Sequence, residues 1–232
     1  MRRRIGHDAA RQAIALFKGN WLAMILQVLK DVTRESHLAL ERLMPLLDAD
    51  LARADYRRMV QKLFTYHKPL EALLSSSSSF AEIGLDYSER AKSSRLANDL
   101  RALGASANEV AQMHLCASLP PLAHPSHVFG CLYVLEGATL GGQIVTRHLQ
   151  ASLGLTSETG ASYFSGYGVR TGPQWKAFCA LLTGYTARTG ATTDIVDGAN
   201  ATYATLTAWM HAVDVEPTTA SGTGSVARPV LA

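Results

Sequence analysis

The sequence has few cysteines. Cys116, Cys131 and Cys179 are the whole set in 232 residues, with no CxxC pair and no metal-type spacing, so no disulfide framework is implied and a reducing cytoplasm is the expected setting. Long apolar runs are also missing. The richest, Trp21 to Leu26, stops at Gln27, far short of the ~20 residues a bilayer helix needs. No GxGxxG and no GxxxxGK[ST] is present, which leaves dinucleotide and nucleotide phosphate binding unsupported. There is no HExxH zinc motif, and Phe164-Ser165-Gly166 resembles no nucleophile elbow.

A broad basic face is absent as well. The formal net charge is +3, yet residues 1–30 alone carry +5 and the remainder carries −2. A near-neutral body argues against nucleic-acid binding. The N-terminal basic stretch does not read as a secretory signal, because Lys18, Gly19 and Asn20 interrupt its apolar part. Residues 1–23 are expected to be a poorly ordered basic extension, 24–215 one helical domain, and 216–232, rich in Thr, Ser and Gly, a disordered tail.

What is present has helical period. Leu29, Val32, Leu40, Leu43 and Leu47 mark a long amphipathic helix from about Met24 to Leu47. A second is expected from Ala52 to Leu74, kinked or interrupted at Pro69. Ser75 to Ser79 reads as a loop, Ser88 to Leu103 as a helix ended by Gly104, and Asn108 to Leu115 as a shorter one. Ser126 to Leu153 is the most apolar stretch, with Ser126 as a plausible N-cap. After an ordered glycine- and aromatic-rich loop, Gly160 to Gly172, helices are expected at Pro173 to Thr186 and Asp194 to Ala212. With no alternating strand pattern, the fold class is all-α, a single-domain helical bundle.

Two constellations can carry chemistry. Lys30, His37 and Glu41 share one face of the first helix. His37 suits a metal or cofactor iron, with Glu41 at i+4 taking the ring's other N–H. A solvated His–Glu pair at a helix edge has the same spacing. The second constellation is Gly137, Gly141 and Gly142, inside the most apolar helix. Each glycine there costs about 1 kcal/mol relative to Ala. A flat ligand against bare backbone, close packing of another helix, or a break at Gly137 would each account for that. His67, beside Lys68, is expected to be exposed.

The segments Lys30-Asp-Val-Thr-Arg-Glu-Ser-His37-Leu-Ala-Leu-Glu41 and Tyr133-Val-Leu-Glu-Gly137-Ala-Thr-Leu-Gly141-Gly142-Gln143, in this order and about a hundred residues apart, resemble the two haem-sandwiching helices of the haem oxygenase family. The likeness looks closest to the bacterial biliverdin-producing branch associated with bacteriophytochromes. It extends to Tyr66-His-Lys-Pro-Leu-Glu71, Gly166-Tyr-Gly168 and Thr171-Gly-Pro-Gln-Trp175. The resemblance implies haem as cofactor and substrate, with His37 as iron ligand and Glu41 orienting it. Gly137, Gly141 and Gly142 would lie over the distal face, and Lys30 and Lys176 would meet the propionates. It also implies use of O2, an electron donor such as a ferredoxin or flavoprotein reductase, and a bacteriophytochrome as a recipient of biliverdin. Where some family members carry an aspartate after the first distal glycine, this chain has Ala138. That leaves Glu136 and Thr139 as the nearest polar residues for proton delivery, and a non-catalytic haem-binding protein on the same bundle as the alternative.

Overall fold

The computed structural model describes residues 21–77 and 79–212. Residues 1–20 of the expected basic extension and the tail from 216 lie outside the described residues; residues 21–23 instead open the first helix. The helices are α1 (Trp21–Leu43), α2 (Arg53–Ser75), α3 (Ser79–Ile83), α4 (Ser93–Ala102), α5 (Ala107–Ala111), α6 (Pro125–Leu153), α7 (Thr171–Thr189) and α8 (Thr192–His211). Short 3-10 turns at Ser88–Arg90 and Gly168–Arg170 complete the set, and no strand occurs among the described residues. The all-α reading holds.

Several boundaries moved for local reasons. Pro69 does not interrupt α2. It lacks an N–H for the Thr65 carbonyl, and the Cys116 backbone N–H, at 2.9 Å, takes that place from outside the helix. The serine run is not all loop, because α2 continues through Ser75 and α3 begins at Ser79. The helix expected from Ser88 starts at Ser93 instead. Glu71 of α2 accepts the backbone N–H groups of Lys92 and Ser93, at 2.5 and 3.1 Å, and so caps α4 from a neighbouring element. Ser126 is not an N-cap. Pro125 occupies the first turn of α6, and the Ser126 hydroxyl meets the Tyr185 hydroxyl at 3.0 Å.

The apolar residues of α6 are spent on the core. By length and composition this helix could cross a membrane, but 56% of its most apolar window is buried within the fold. Phe129 and Leu132 are fully enclosed with Leu29, Leu70, Phe178 and Ile195. The α6–α8 crossing is backbone to backbone. A Cβ on Gly130 would sit 2.1 Å from the Ile195 carbonyl oxygen, and one on Gly198 would sit 2.6 Å from that of His127. A second cluster around Tyr56, Val60, Leu63, Leu96 and Leu149 packs α2 and α4 against the end of α6. Met44, just after α1, touches both clusters.

This arrangement opens the site. α1 and α6 each pack on α8 more than on each other. A cleft is left between them, with Tyr203 and Leu206 of α8 among its lining.

Candidate active site

The cleft has two lobes that meet at His37, Gly137 and Tyr203. The inner lobe encloses about 850 Å³ including its mouth and is walled by Leu40, Leu63, Val134, Leu135, Phe164 and Leu206, among others. The outer lobe encloses about 780 Å³ and is lined by Lys30, Thr33, Arg34, Tyr133 and Trp175. Both lobes combine an apolar wall with a few polar groups, the mix typical of small-ligand sites.

His37 lines this cleft, yet its side chain stays 52% exposed and that of Glu41 60%, so the pair sits at a solvated helix edge that borders the cleft. The His37 Nδ1 lies 3.6 Å from Glu41 Oε2, one turn along α1. That is an ion-pair distance, and neither ring nitrogen makes a hydrogen bond among the described residues. The ring packs edge-on to Tyr203, with 6.3 Å between centroids. A carboxylate nearer one nitrogen favours the proton there and leaves the second as a lone-pair donor.

The three glycines separate into two uses. A Cβ on Gly141 would meet nothing within 4 Å, and one on Gly137 would only touch the Trp175 ring at 3.9 Å. Both line the cleft. Gly142 also lines the cleft, but it has a second use, because a Cβ there would lie 2.2 Å from the Phe164 carbonyl oxygen. It seats the Gly160–Gly172 loop against α6. The helix is continuous across all three, so there is no break at Gly137.

The remaining expected residues divide. Lys30 lines the outer lobe, seven residues or two turns before His37. Lys176 is exposed on α7 and does not line either lobe, although its neighbour Trp175 does. Glu136 turns away from the cleft into a buried ion cluster, accepting from Arg90 at 2.5 Å, Lys92 at 2.6 Å and the Tyr167 hydroxyl at 2.8 Å. The Thr139 hydroxyl donates to the Glu136 carbonyl.

His67 corrects its expectation most sharply. It is 1% exposed and lines the inner lobe. The Lys68 beside it in sequence suggested a solvated position, but α2 rotates His67 inward with Leu63, Tyr66 and Leu70. Burial, with the Lys92 charge nearby, pushes its pKa down to about 3, so the ring is neutral. A signal for it existed: His67 and Glu71 repeat the His37–Glu41 spacing. Arg34, Tyr163, Phe164 and Tyr203 also line the cleft without having been singled out.

A family model described as Heme oxygenase matches residues 23–212. The chain belongs to the haem oxygenase family. Membership makes it an oxidoreductase of a family that takes haem as both substrate and cofactor. The crystal structures of the NO- and CO-bound heme oxygenase from Neisseria meningitidis share its fold, with TM-score 0.67 at 19% identity over 84% of this chain and 97% of that one. No curated protein matches. The residues of the cleft fit haem on their own chemistry. A histidine without hydrogen bonds and two glycines with open space above them line the same cleft, cations line its outer lobe, and no cluster of three or more metal-type ligands competes among the described residues. A single axial ligand is what a porphyrin-held iron requires of the protein.

Proposed function

We propose that this haem oxygenase-family chain binds haem between α1 and α6 with His37 on the iron, and opens the ring to biliverdin with release of iron and CO. Electrons come from an external donor such as a ferredoxin or flavoprotein reductase. The observation that carries the reading is the pairing of His37 Nε2, free of protein partners, with the open backbone of Gly137 and Gly141 in one cleft. Bound haem supplies both the oxygen-activating iron and the macrocycle that is cleaved.

The chain's own residues supply binding, orientation and exclusion. Glu41 stands 3.6 Å from the Nδ1 side of His37, where its charge favours the proton on Nδ1 and so the tautomer that ligates through Nε2. Lys30 and Arg34 place two cations at the outer lobe for the two propionates. Lys176, exposed off the cleft, is left a minor part in that anchoring. Gly137 and Gly141 leave room for a small gas molecule over the ring, and the apolar wall of the inner lobe excludes bulk water. A bacteriophytochrome that takes up the biliverdin is the partner this reading favours.

Ala138 favours a second reading, a haem-binding protein without turnover, because no carboxylate follows Gly137. Single-turnover reaction of the haem-loaded protein with O2 and a reductant system distinguishes the two. Biliverdin and CO in equal amounts are expected; intact haem after prolonged reduction in air would contradict the enzyme.

A further inference from the structure

The wall of the inner lobe formed by α2 and the loop after α6 holds one polar constellation that the roles above leave unused. Tyr163, in the loop after α6, lines the lobe, and its hydroxyl lies 3.1 Å from His67 Nε2. Beyond the imidazole, His67 Nδ1 is buried without a hydrogen bond, and the Glu71 carboxylate stands 3.9 Å away. Glu71 is itself immobilised. It accepts the backbone N–H groups of Lys92 and Ser93 and the Ser93 hydroxyl. Side-chain exposures of 2% for His67 and 7% for Glu71 make this a dry pair, where charges act strongly.

The order of the three groups fixes their protons. A lone pair on Nδ1 pointing at a carboxylate is repulsive, so Glu71 assigns the imidazole proton to Nδ1. Nε2 then accepts, and the Tyr163 hydroxyl must donate to it. The ring stays neutral between Glu71 and Lys92, with Tyr66 edge-on at 6.3 Å. The Tyr163 phenol, raised by burial and by Glu71 and Glu136, keeps its proton. Its oxygen keeps a lone pair for a second partner, in a residue that lines the lobe. From Tyr163 a smaller void continues behind Ala138 to Lys92 and Thr139, giving polar-edged room beside the lobe.

We propose that Glu71, His67 and Tyr163 form a positioning relay in which the Tyr163 oxygen accepts one hydrogen of a water in the inner lobe and turns its second hydrogen toward the open face of Gly137 and Gly141. The relay rests on the reading of the cleft as a haem site. It assigns to α2 and the loop after α6 a task that α6, with Ala138 after Gly137 and Glu136 turned inward, has no side chain to perform.

Two measurements test it. In the ligand-free protein, 15N NMR of His67 is expected to show Nδ1 protonated and Nε2 bare, unchanged across about pH 5 to 8, the window in which an ordinary histidine titrates. A protonated Nε2 overturns the relay without touching the haem assignment. In the reduced haem-loaded protein, the C–O stretch of added CO is expected at lower frequency and to respond to D2O. Tyr163→Phe and His67→Leu should raise it and abolish the D2O response, and His67→Gln, which keeps an acceptor, should restore part of both. If haem binds through His37 but Tyr163→Phe leaves the stretch and its D2O response as in wild type, the relay is wrong. If wild type fails to bind haem at all, the haem reading and the relay fall together.

Discussion

Gly142 and Phe164 touch through their backbones: a Cβ on Gly142 would sit 2.2 Å from the Phe164 carbonyl oxygen, whereas one on Gly141, a residue earlier, would meet nothing within 4 Å. Adjacent glycines in one helix therefore have opposite reasons to be glycine. Gly141→Ala should leave the ligand-free fold intact and raise its stability by up to about 1 kcal/mol, the helix-propensity difference, while weakening haem turnover by narrowing the cleft. Gly142→Ala should lose about 1–3 kcal/mol, because carbonyl and helix must part. Urea unfolding of both variants checks the signs, and equal losses would refute the division.

That division marks the limit of what the sequence made legible. The interior glycines, their helical cost and the His37–Glu41 spacing could all be read from the chain, because helical period places residues on faces. Which of these cleft-lining glycines also presses on a loop depends on how Gly160–Gly172 folds back, a long-range contact with no local pattern. That α2 runs on past Pro69 has the same kind of cause: the donor that satisfies the Thr65 carbonyl is Cys116, 51 residues further on. Glu136 looked like a distal polar group until Arg90 and Lys92, from the segment before α4, were seen to enclose it.

Glu136 is 1% exposed and balances two cations that are 5% and 4% exposed. Glu136→Gln removes the countercharge from Arg90 and Lys92 while keeping the shape. A loss of about 3–5 kcal/mol is expected, the usual consequence of stranding buried charge, with no loss of the His37 ligand. Denaturant midpoints compared at constant m-value measure it; a change under about 1 kcal/mol would mean that water reaches the cluster.

The α6–α8 crossing depends on Gly130 and Gly198 having no side chain. Gly130→Ala should cost about 1–3 kcal/mol or more, since the obstacle is a carbonyl of another helix and cannot rotate away. Adding Gly198→Ala should cost less than a second full increment, because both push the same pair of helices apart. Thermal unfolding of the two single variants and the double variant measures the coupling.

His67 links stability to pH. Its pKa falls from the unfolded value near 6.5 to about 3 in the fold. Between these values the unfolded chain binds the extra proton, so this group's contribution is complete above about pH 6.5 and is lost as pH falls toward 3. The slope from one such group is up to about 1.4 kcal/mol per pH unit. His67→Gln should flatten the stability profile between pH 6.5 and 4 relative to wild type. An unchanged slope would show that His67 takes up its proton as readily in the fold as in the unfolded chain.

The central claim is that His37 ligates haem iron in the cleft between α1 and α6, and the absorption spectrum of hemin mixed with purified wild type and with His37→Ala tests it most directly. Wild type is expected to give a sharpened and shifted Soret band that saturates at one haem per chain. His37→Ala is expected to lose that band, and added imidazole to restore it by filling the space. A hemin spectrum that is the same with either protein would contradict the account.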